Sequence, residues 1–408
     1  MIPYASGCSQ HRLVDTPFRL RIKYVAMKVM VSAGEVSGDL HASHVVEELK
    51  KRCPDVRAFG MGGERLLKAG CELIIDIADT AVMGIGEVIS SLPRFLKKLK
   101  LMKDALKARK PDLLMLVDFP EFNIRLARYA HKLGIPVLYY IPPKAWAWRP
   151  GRARALAETV DLIASIFPFE AEFYRKAGAK AVFVGNPVLD LAASPLSREE
   201  ARRKFGLPTE GRVIGLMPGS RRKEVERLWG MMFEAAELIS REMDVHYILP
   251  LAPSIDPVMI RPRPEGLKIV RDDVYDVMRA CDLLIVASGT ATLEAACMLT
   301  PMIIVYKVSL STWAVARCMV RLKHSGLPNI IAGREIVPEY LQSRAEPGIV
   351  ARRALRMLRE GSELERQIEE LRKIRSTLGP PGAAGRVAEL IVRMARRDEE
   401  VSLRCDHG

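Results

Sequence analysis

The chain has 408 residues, of which 49% are hydrophobic and 27% charged, values of a globular protein that exclude a disordered one. Its length is long for one core and natural for two domains. The net charge of +14 asks for an anionic partner: nucleic acid, an acidic membrane surface or a phosphorylated small molecule. Seven scattered cysteines (Cys8, Cys53, Cys71, Cys281, Cys297, Cys318 and Cys405) form no CxxC pair. That argues against a zinc site or a disulfide framework and fits a reducing compartment. No uncharged apolar run approaches the ~20 residues needed to cross a bilayer. Residues 1–26 carry charges throughout and lack an apolar h-region, so they read as a poorly ordered extension rather than a signal peptide.

"KVMVSA" (28–33) is the first buried strand, followed by a glycine-bearing turn and a helix near 39–52. Gly34 and Gly38 let the backbone approach a ligand at a helix N-terminus. A tight turn with Asp39 as helix cap fits the same residues. The segment 91–110 sets Phe95, Leu99, Met102 and Leu106 in one helical stripe among eight basic residues, Lys97 and Lys98 included, and one acid. It suits a membrane-surface helix or a helix with its stripe on a sheet. "DLLMLVD" (112–118) is the next strand. The "VDFPEFN" segment then offers Asp118 and Glu121 at a strand's carboxyl edge, as proton acceptors or as acids capping the helix that Pro120 begins. Strands follow at 134–141, 161–167 and 181–185. Between them Trp146 and Trp148 lie beside Arg149, Arg152 and Arg154, as an RNA-stacking platform, an interfacial anchor or a buried aromatic pair.

Residues 186–211 contain three prolines and read as a connection with one short helix. The alternation then restarts, with strands at 212–220, 245–253, 267–271, 282–289 and 301–308, and ends in an Arg-rich helical tail over 348–397. Continuous apolar strands alternating with helices predict parallel sheets covered on both faces, in two α/β halves with a cleft between them. In "LMPGSRRKEVERL", Gly219, Ser220 and Arg221 stand where a strand meets a helix, a phosphate site with an Arg at its mouth or a capping box beside a solvated charge run. Ser288, Gly289 and Thr290 repeat the arrangement, and Glu294 on the following helix suits a ribose diol, as acids do in nucleotide sites, or the helix dipole.

Together "SAGEVSGDLHA", "GMGGERL", "VMGIGEV", "VDFPEFN", "WAWRPGR", "VGNPVLD", "PGSRRKEVERL", "ASGTATLE" and "LPNIIAGREIVPEYLQ" resemble, in order and over roughly residues 27–395, the lipid-A-disaccharide synthases. The resemblance implies a GT-B fold: two Rossmann-like, doubly wound domains facing across a cleft, with C-terminal helices returning to the first. It divides the chain into an extension (1–26), an acceptor- and membrane-facing domain (27–190), a linker (191–211), a UDP-sugar domain (212–345) and C-terminal helices (346–408).

It further implies transfer of 2,3-diacylglucosamine from its UDP conjugate to 2,3-diacylglucosamine-1-phosphate, with inversion. Asp118 and Glu35 would be the catalytic acids, with Asp118 as the base. Ser37, Gly219, Ser220, Arg221, Ser288, Gly289, Thr290, Glu294, Asn329 and Arg334 would hold the UDP-sugar. Phe95, Lys97, Lys98, Leu99 and Met102 would contact the anionic membrane and acyl chains. No cofactor, metal or nucleic acid is implied, a homodimer is left open, and the expected place is the cytoplasmic face of the inner membrane. Family members often have Ser-Pro before the Trp-Ala-Trp segment, where this chain has "IPPK" with Lys144. Other UDP-sugar enzymes of the fold, 2-epimerases or peptidoglycan glycosyltransferases, lack the first-half set; an RNA-binding protein gives no reason for Glu294.

Overall fold

The computed structural model describes residues 26–78, 88–146, 151–309 and 323–396. The extension 1–25, the "VMGIGE" stretch (82–87), Trp148 and Arg149 lie outside the described residues.

Seven strands form the first sheet: β1 (Lys28–Ala33), β2 (Arg57–Gly62), β3 (Glu72–Asp76), β4 (Leu113–Val117), β5 (Val137–Tyr140), β6 (Leu162–Ser165) and β7 (Ala181–Phe183). They are parallel throughout, in the order β3-β2-β1-β4-β5-β6-β7. The helices between them are α1 (Val36–Arg52), α2 (Glu64–Lys68), α3 (Val88–Arg109), α4 (Pro120–Lys132), α5 (Gly151–Ala157) and α6 (Pro168–Lys176). Strands covered on both faces carry apolar runs without alternation, as β4 (LLMLV, wholly buried) illustrates. Sequence reading passes over β2 and β3. The first is interrupted by glycines (RAFGMG) and the second is a short outer strand flanked by Glu72 and Asp76, so neither presents an uninterrupted apolar run.

After α7 (Val188–Leu191) and α8 (Arg198–Lys204), the second sheet comprises β8 (Arg212–Met217), β9 (Val245–Leu251), β10 (Lys268–Arg271), β11 (Leu283–Ala287), β12 (Met302–Tyr306) and β13 (Glu339–Leu341). Its order is β10-β9-β8-β11-β12-β13, again parallel. The accompanying helices are α9 (Arg222–Ser240), α10 (Val274–Ala280), α11 (Thr290–Cys297), α12 (Leu327–Ala332), α13 (Pro347–Glu360), α14 (Ser362–Thr377) and α15 (Ala383–Ala395). The connection is more ordered than its prolines suggest. Ser197 and Glu200 form a capping box on α8, and buried Arg202 bonds the Asp282 carboxylate at 2.7 Å, fastening α8 to the second half.

The stripe of α3 faces inward. Leu99, Met102 and Leu106 are buried in the core under the first sheet with Met30, Leu114 and Phe122, and half-buried Phe95 packs against the same cluster. Leu99 and Met102 are therefore not membrane contacts: burying them on the sheet removes their apolar area from water within the fold. Half-buried Lys98 stands beside that buried stripe, whereas Lys97 is exposed. The apolar residues that α3 does show to solvent are Leu92, Leu96 and Leu101, about half exposed each.

The last helix returns to the first half. Val387, Ala388 and Ile391 of α15 complete the other core of that half, with Val29, Val31, Val45 and Leu49. Asp190 accepts hydrogen bonds from the N–H groups of Gly382 and Ala383 at the start of α15. Arg386 donates to the carbonyls of Val184, Pro380 and Pro381.

Both sheets reverse their winding direction once, between β1 and β4 and between β8 and β11. In an open α/β sheet the crevice outside the carboxyl ends of those strands is where ligands bind. The four loops there begin at Gly34, Asp118, Pro218 and Ser288.

Candidate active site

In the first half, Ala33 ends β1 beside Val117 of β4, so the two following loops share the crevice. Glu35 occupies the cap position of α1 in an extended conformation, yet its side chain makes no cap hydrogen bond, which leaves the carboxyl for the cleft. Ser37, in the first turn of α1, is exposed beside it. Asp39, which the sequence offers as the cap of this helix, is buried inside α1 and caps α2 instead, accepting from the N–H groups of Gly63, Arg65 and Leu66.

Asp118 and Phe119 are both left-handed, with φ of 47° and 48°. For residues with a Cβ this costs roughly 1–2 kcal/mol each and persists only where the surroundings enforce it. The enforcement comes from Asn123, fully buried on α4. Its amide donates to the carbonyl of Asp118 at 2.7 Å and those of Val117 and Ser32 at 3.2 and 3.3 Å, while its oxygen accepts from Ser32 Oγ at 2.6 Å. Tyr139 of β5 donates a second bond to the Asp118 carbonyl, at 2.7 Å. Gly34 completes the fit, because a Cβ there would lie 2.1 Å from the Phe119 ring.

Burial raises the pKa of Asp118, opposed by the Phe119 N–H and by the positive charge of Lys144. Glu35 stands at the water-accessible mouth, but protein crowds it enough that desolvation raises its pKa, and the Asp118 carboxylate adds to the rise. Arg221 of the second half acts on Glu35 in the opposite sense. The two halves therefore meet electrostatically here: two acids held toward protonation on one wall, a guanidinium on the other.

On the second wall, Gly219 has φ of 115°, a turn that favours glycine, and α9 begins at Arg222 with Arg221 at its cap. Ser220 is not the cap. The first N–H groups are held by Glu224, whose carboxylate accepts from Ser220 and Arg221 at 3.3 Å each and pairs with the Arg221 guanidinium at 3.5 Å. That carboxylate occupies the anion position of the turn. Across the crevice, α11 starts at Thr290 with no side-chain cap, and Gly289 and Thr290 are exposed, so its amide-rich end is open to an anion. Ser288 donates its hydroxyl to the Ser325 carbonyl at 3.0 Å, which locks the turn rather than presenting that proton to a ligand. Glu294 is largely enclosed, and desolvation alone raises its pKa; no hydrogen bond or ion pair engages its carboxylate among the described residues. A desolvated carboxylate without a donor suits a ligand that brings hydroxyls.

Two residues expected to touch the UDP-sugar have other occupations. Asn329 is fully buried and saturated. Its amide donates to Val337 and to Glu339 at 2.7 Å each, and its oxygen accepts from Ile336 and Val337 at 2.7 and 2.9 Å. All its bonding capacity is used inside the protein, so it shapes the loop over 333–338 rather than holding substrate. Arg334 pairs with Glu370 of α14.

Sequence reasoning missed Glu339, Ser325 and Asn123. Glu339 accepts from the N–H groups of Ser325 and Gly326 at 2.9 Å and from Asn329, building a polar plinth under Ser288. Only its place in "VPEYLQ" hinted at it. Asn123 is the last residue of "VDFPEFN", and its partners converge only in the fold.

The lipid-A-disaccharide synthetase family model matches residues 29–383, spanning every element of this cleft. The chain belongs to the lipid-A-disaccharide synthase family. Named lipid-A-disaccharide synthases similar to it include one from Syntrophus aciditrophicus, 41% identical over 91% of this chain and 98% of the relative, and one from Geobacter metallireducens, 42% identical over 90% and 97%. Family membership makes the chain a glycosyltransferase. Solved structures similar in fold include UDP-GlcNAc 2-epimerase from Neisseria meningitidis bound to UDP-GlcNAc (TM-score 0.61, 12% identity, 91% of this chain and 100% of that one). The calicheamicin glycosyltransferase CalG4 gives a TM-score of 0.59 at 14% identity, covering 91% and 99%. At such identities the likeness extends to the GT-B architecture of two parallel sheets, and no further.

Proposed function

We propose that this lipid-A-disaccharide synthase transfers 2,3-diacylglucosamine from UDP-2,3-diacylglucosamine to the 6-hydroxyl of 2,3-diacylglucosamine-1-phosphate, releasing UDP. The observation that carries the reading is the facing of the two switch points, with Asp118 and Glu35 on one wall and, on the other, Arg221, the open end of α11 and Glu294, which has no donor among the described residues. Asp118 takes the proton of the acceptor hydroxyl as that oxygen attacks the anomeric carbon; the bond to the diphosphate breaks on the opposite face, and UDP leaves with the electron pair. A buried carboxylate with a raised pKa is a stronger base than a free one once ionised. Glu35 shares the acceptor wall with Asp118. Arg221 and the first amides of α11 receive the developing diphosphate charge, displacing Glu224 from the Ser220 and Arg221 amides. Glu294 accepts from the ribose hydroxyls.

Both substrates carry acyl chains, so the enzyme works against an anionic membrane surface. No helix among the described residues is long and apolar enough to cross a membrane. The surface that supports peripheral contact is the outer side of α3, with Leu92, Leu96 and Leu101 beside exposed Lys97 and Lys100. Lys→Glu changes at 97 and 100 with Leu→Ser at 92 and 96 are expected to lower sedimentation with anionic liposomes; unchanged partitioning would sink this part.

The deciding experiment is UDP release in detergent with and without the acceptor, for the wild type and Asp118→Ala. Acceptor-dependent release that falls by ~10²–10⁴ in the variant supports the reading. UDP release that needs no acceptor points to epimerase-type chemistry instead.

A further inference from the structure

Behind the first wall lies a carboxylate that the transfer itself does not use. Glu170, in the first turn of α6, is only 1% exposed. One of its oxygens accepts from Ser165 Oγ at 2.7 Å and the other from the indole N–H of Trp146 at 3.0 Å. The Trp146 ring meets Phe169 edge-on, with centroids 5.0 Å apart. One turn further along α6, Tyr174 donates its hydroxyl to the Pro143 carbonyl. The strap 143–146 is thus tied at both ends to one helix, and Pro142, Pro143 and Ala145 are buried. Lys144, between the ties, is the exposed residue of the strap, and its charge acts on both Asp118 and Glu170.

We propose that Lys144 is a further functional residue of the transfer, and that Glu170 is a positioning residue which, through Trp146, holds the strap so that the Lys144 ammonium stands beside Asp118. The inference rests on Asp118 being the base. The bond from the Trp146 indole to a buried carboxylate that is itself anchored on Ser165, with the Tyr174 bond to Pro143, fixes the strap far more tightly than the exposed side chain of Lys144 fixes itself. Among the described residues, the groups facing Asp118 are Glu35 from the β1–α1 turn, the Phe119 N–H, Asn123 and Tyr139 on its carbonyl, and Lys144; Arg152 of α5 reaches Tyr139. Those facing Glu170 are Ser165, Trp146, the Ile166 N–H, Lys144 and Tyr174. Among the described residues, Lys144 is the cation acting on the Asp118 carboxylate, so it favours the ionised form that accepts the proton.

The test is kcat/KM for acceptor-dependent UDP release against pH, for the wild type, Lys144→Met, Lys144→Arg, Glu170→Ala and Glu170→Gln. Lys144→Met is expected to move the acidic limb to higher pH by about half to one unit. That is ~3- to 10-fold slower on the limb with an unchanged alkaline plateau, and Lys144→Arg restores the profile. Glu170→Ala is expected to copy Lys144→Met, and Glu170→Gln to rescue it, because the amide accepts from Trp146 and donates to Ser165. A Lys144→Met profile that superimposes on the wild type, or one lowered uniformly without a shift, overturns the proposal. Lys144 is exposed, so that result stands even if Glu170→Ala fails to fold. A wild type without acceptor-dependent release would instead strike down the reaction.

Discussion

Asn123→Ala should damage the catalytic turn without touching substrate. The change removes four hydrogen bonds from a side chain with no exposure. The Asp118 carbonyl keeps its bond from Tyr139, and the Val117 and Ser32 carbonyls stand next to ladder partners, so the group stranded outright is the Ser32 hydroxyl. One stranded buried donor costs roughly 1–3 kcal/mol. Relaxation of the two left-handed residues limits the remainder, since each stores ~1–2 kcal/mol that the network no longer enforces. The expected loss is therefore about 1–3 kcal/mol of folding stability, a sizeable fraction of the 5–15 kcal/mol typical of a domain. Relaxation also moves the Asp118 carboxyl, and a displacement near 1 Å lowers turnover ~10²-fold. Urea unfolding at constant m-value and single-turnover UDP release would measure the two effects. The variant should lose both stability and kcat with little change in KM for the UDP-sugar, which binds the opposite wall. Normal turnover in a destabilised protein would refute the idea that the strained turn positions the base.

Gly34→Ala, which drives a methyl into the Phe119 ring, is expected to lower kcat in the same way and cost about 1–3 kcal/mol; wild-type kcat would show that the ring is free to move. Glu294→Ala should raise KM for the UDP-sugar ~10-fold or more while leaving the ligand-free protein at least as stable, because it removes a desolvated charge that has no donor among the described residues; calorimetry with UDP reads the affinity directly. Asn329→Ala is expected to lower the melting temperature strongly, through four lost internal bonds, and to weaken UDP binding only as far as the Ser288 turn sags; a selective loss of UDP affinity in a stable protein would restore Asn329 as a ligand. Burial raises Glu170 from the ordinary 4.5 to about 7, so the folded state holds that proton more tightly than the unfolded chain. The stability linked to it is full below pH ~4.5 and is lost as the pH rises toward 7, by ~3 kcal/mol; Glu170→Gln should flatten that slope in urea midpoints taken across the range.

The parallel strands were readable because burial on both faces writes itself as unbroken apolar runs, and β1, β4, β8 and β11 carry such runs directly before their polar turns. Asp118 and Glu294 were readable for the same reason: an acid at a strand's carboxyl edge or on the following helix is conspicuous. What was not readable depends on long-range meetings. The stripe of α3 is identical in sequence whether it faces lipid or sheet, and only the neighbouring Met30 and Phe122 decide it. Asn329 looks like a ligand until Glu339 and the 336–337 amides fill its bonds. Glu170 and Trp146, 24 residues apart, give no local sign of their hydrogen bond.

The placement of α15 sets the order in which the protein can become whole. Its Val387, Ala388 and Ile391 fill a core whose other residues begin at Val29, so a growing chain has made nearly all of itself before its first domain can be sealed. Until residues 383–395 leave the ribosome, the apolar face of α1 and β1 stays open to water or to a chaperone. A premature stop near residue 380 would spare every residue of the cleft and still leave the N-terminal half adhesive, so the damage would surface as aggregation at the opposite end of the polypeptide from the lesion.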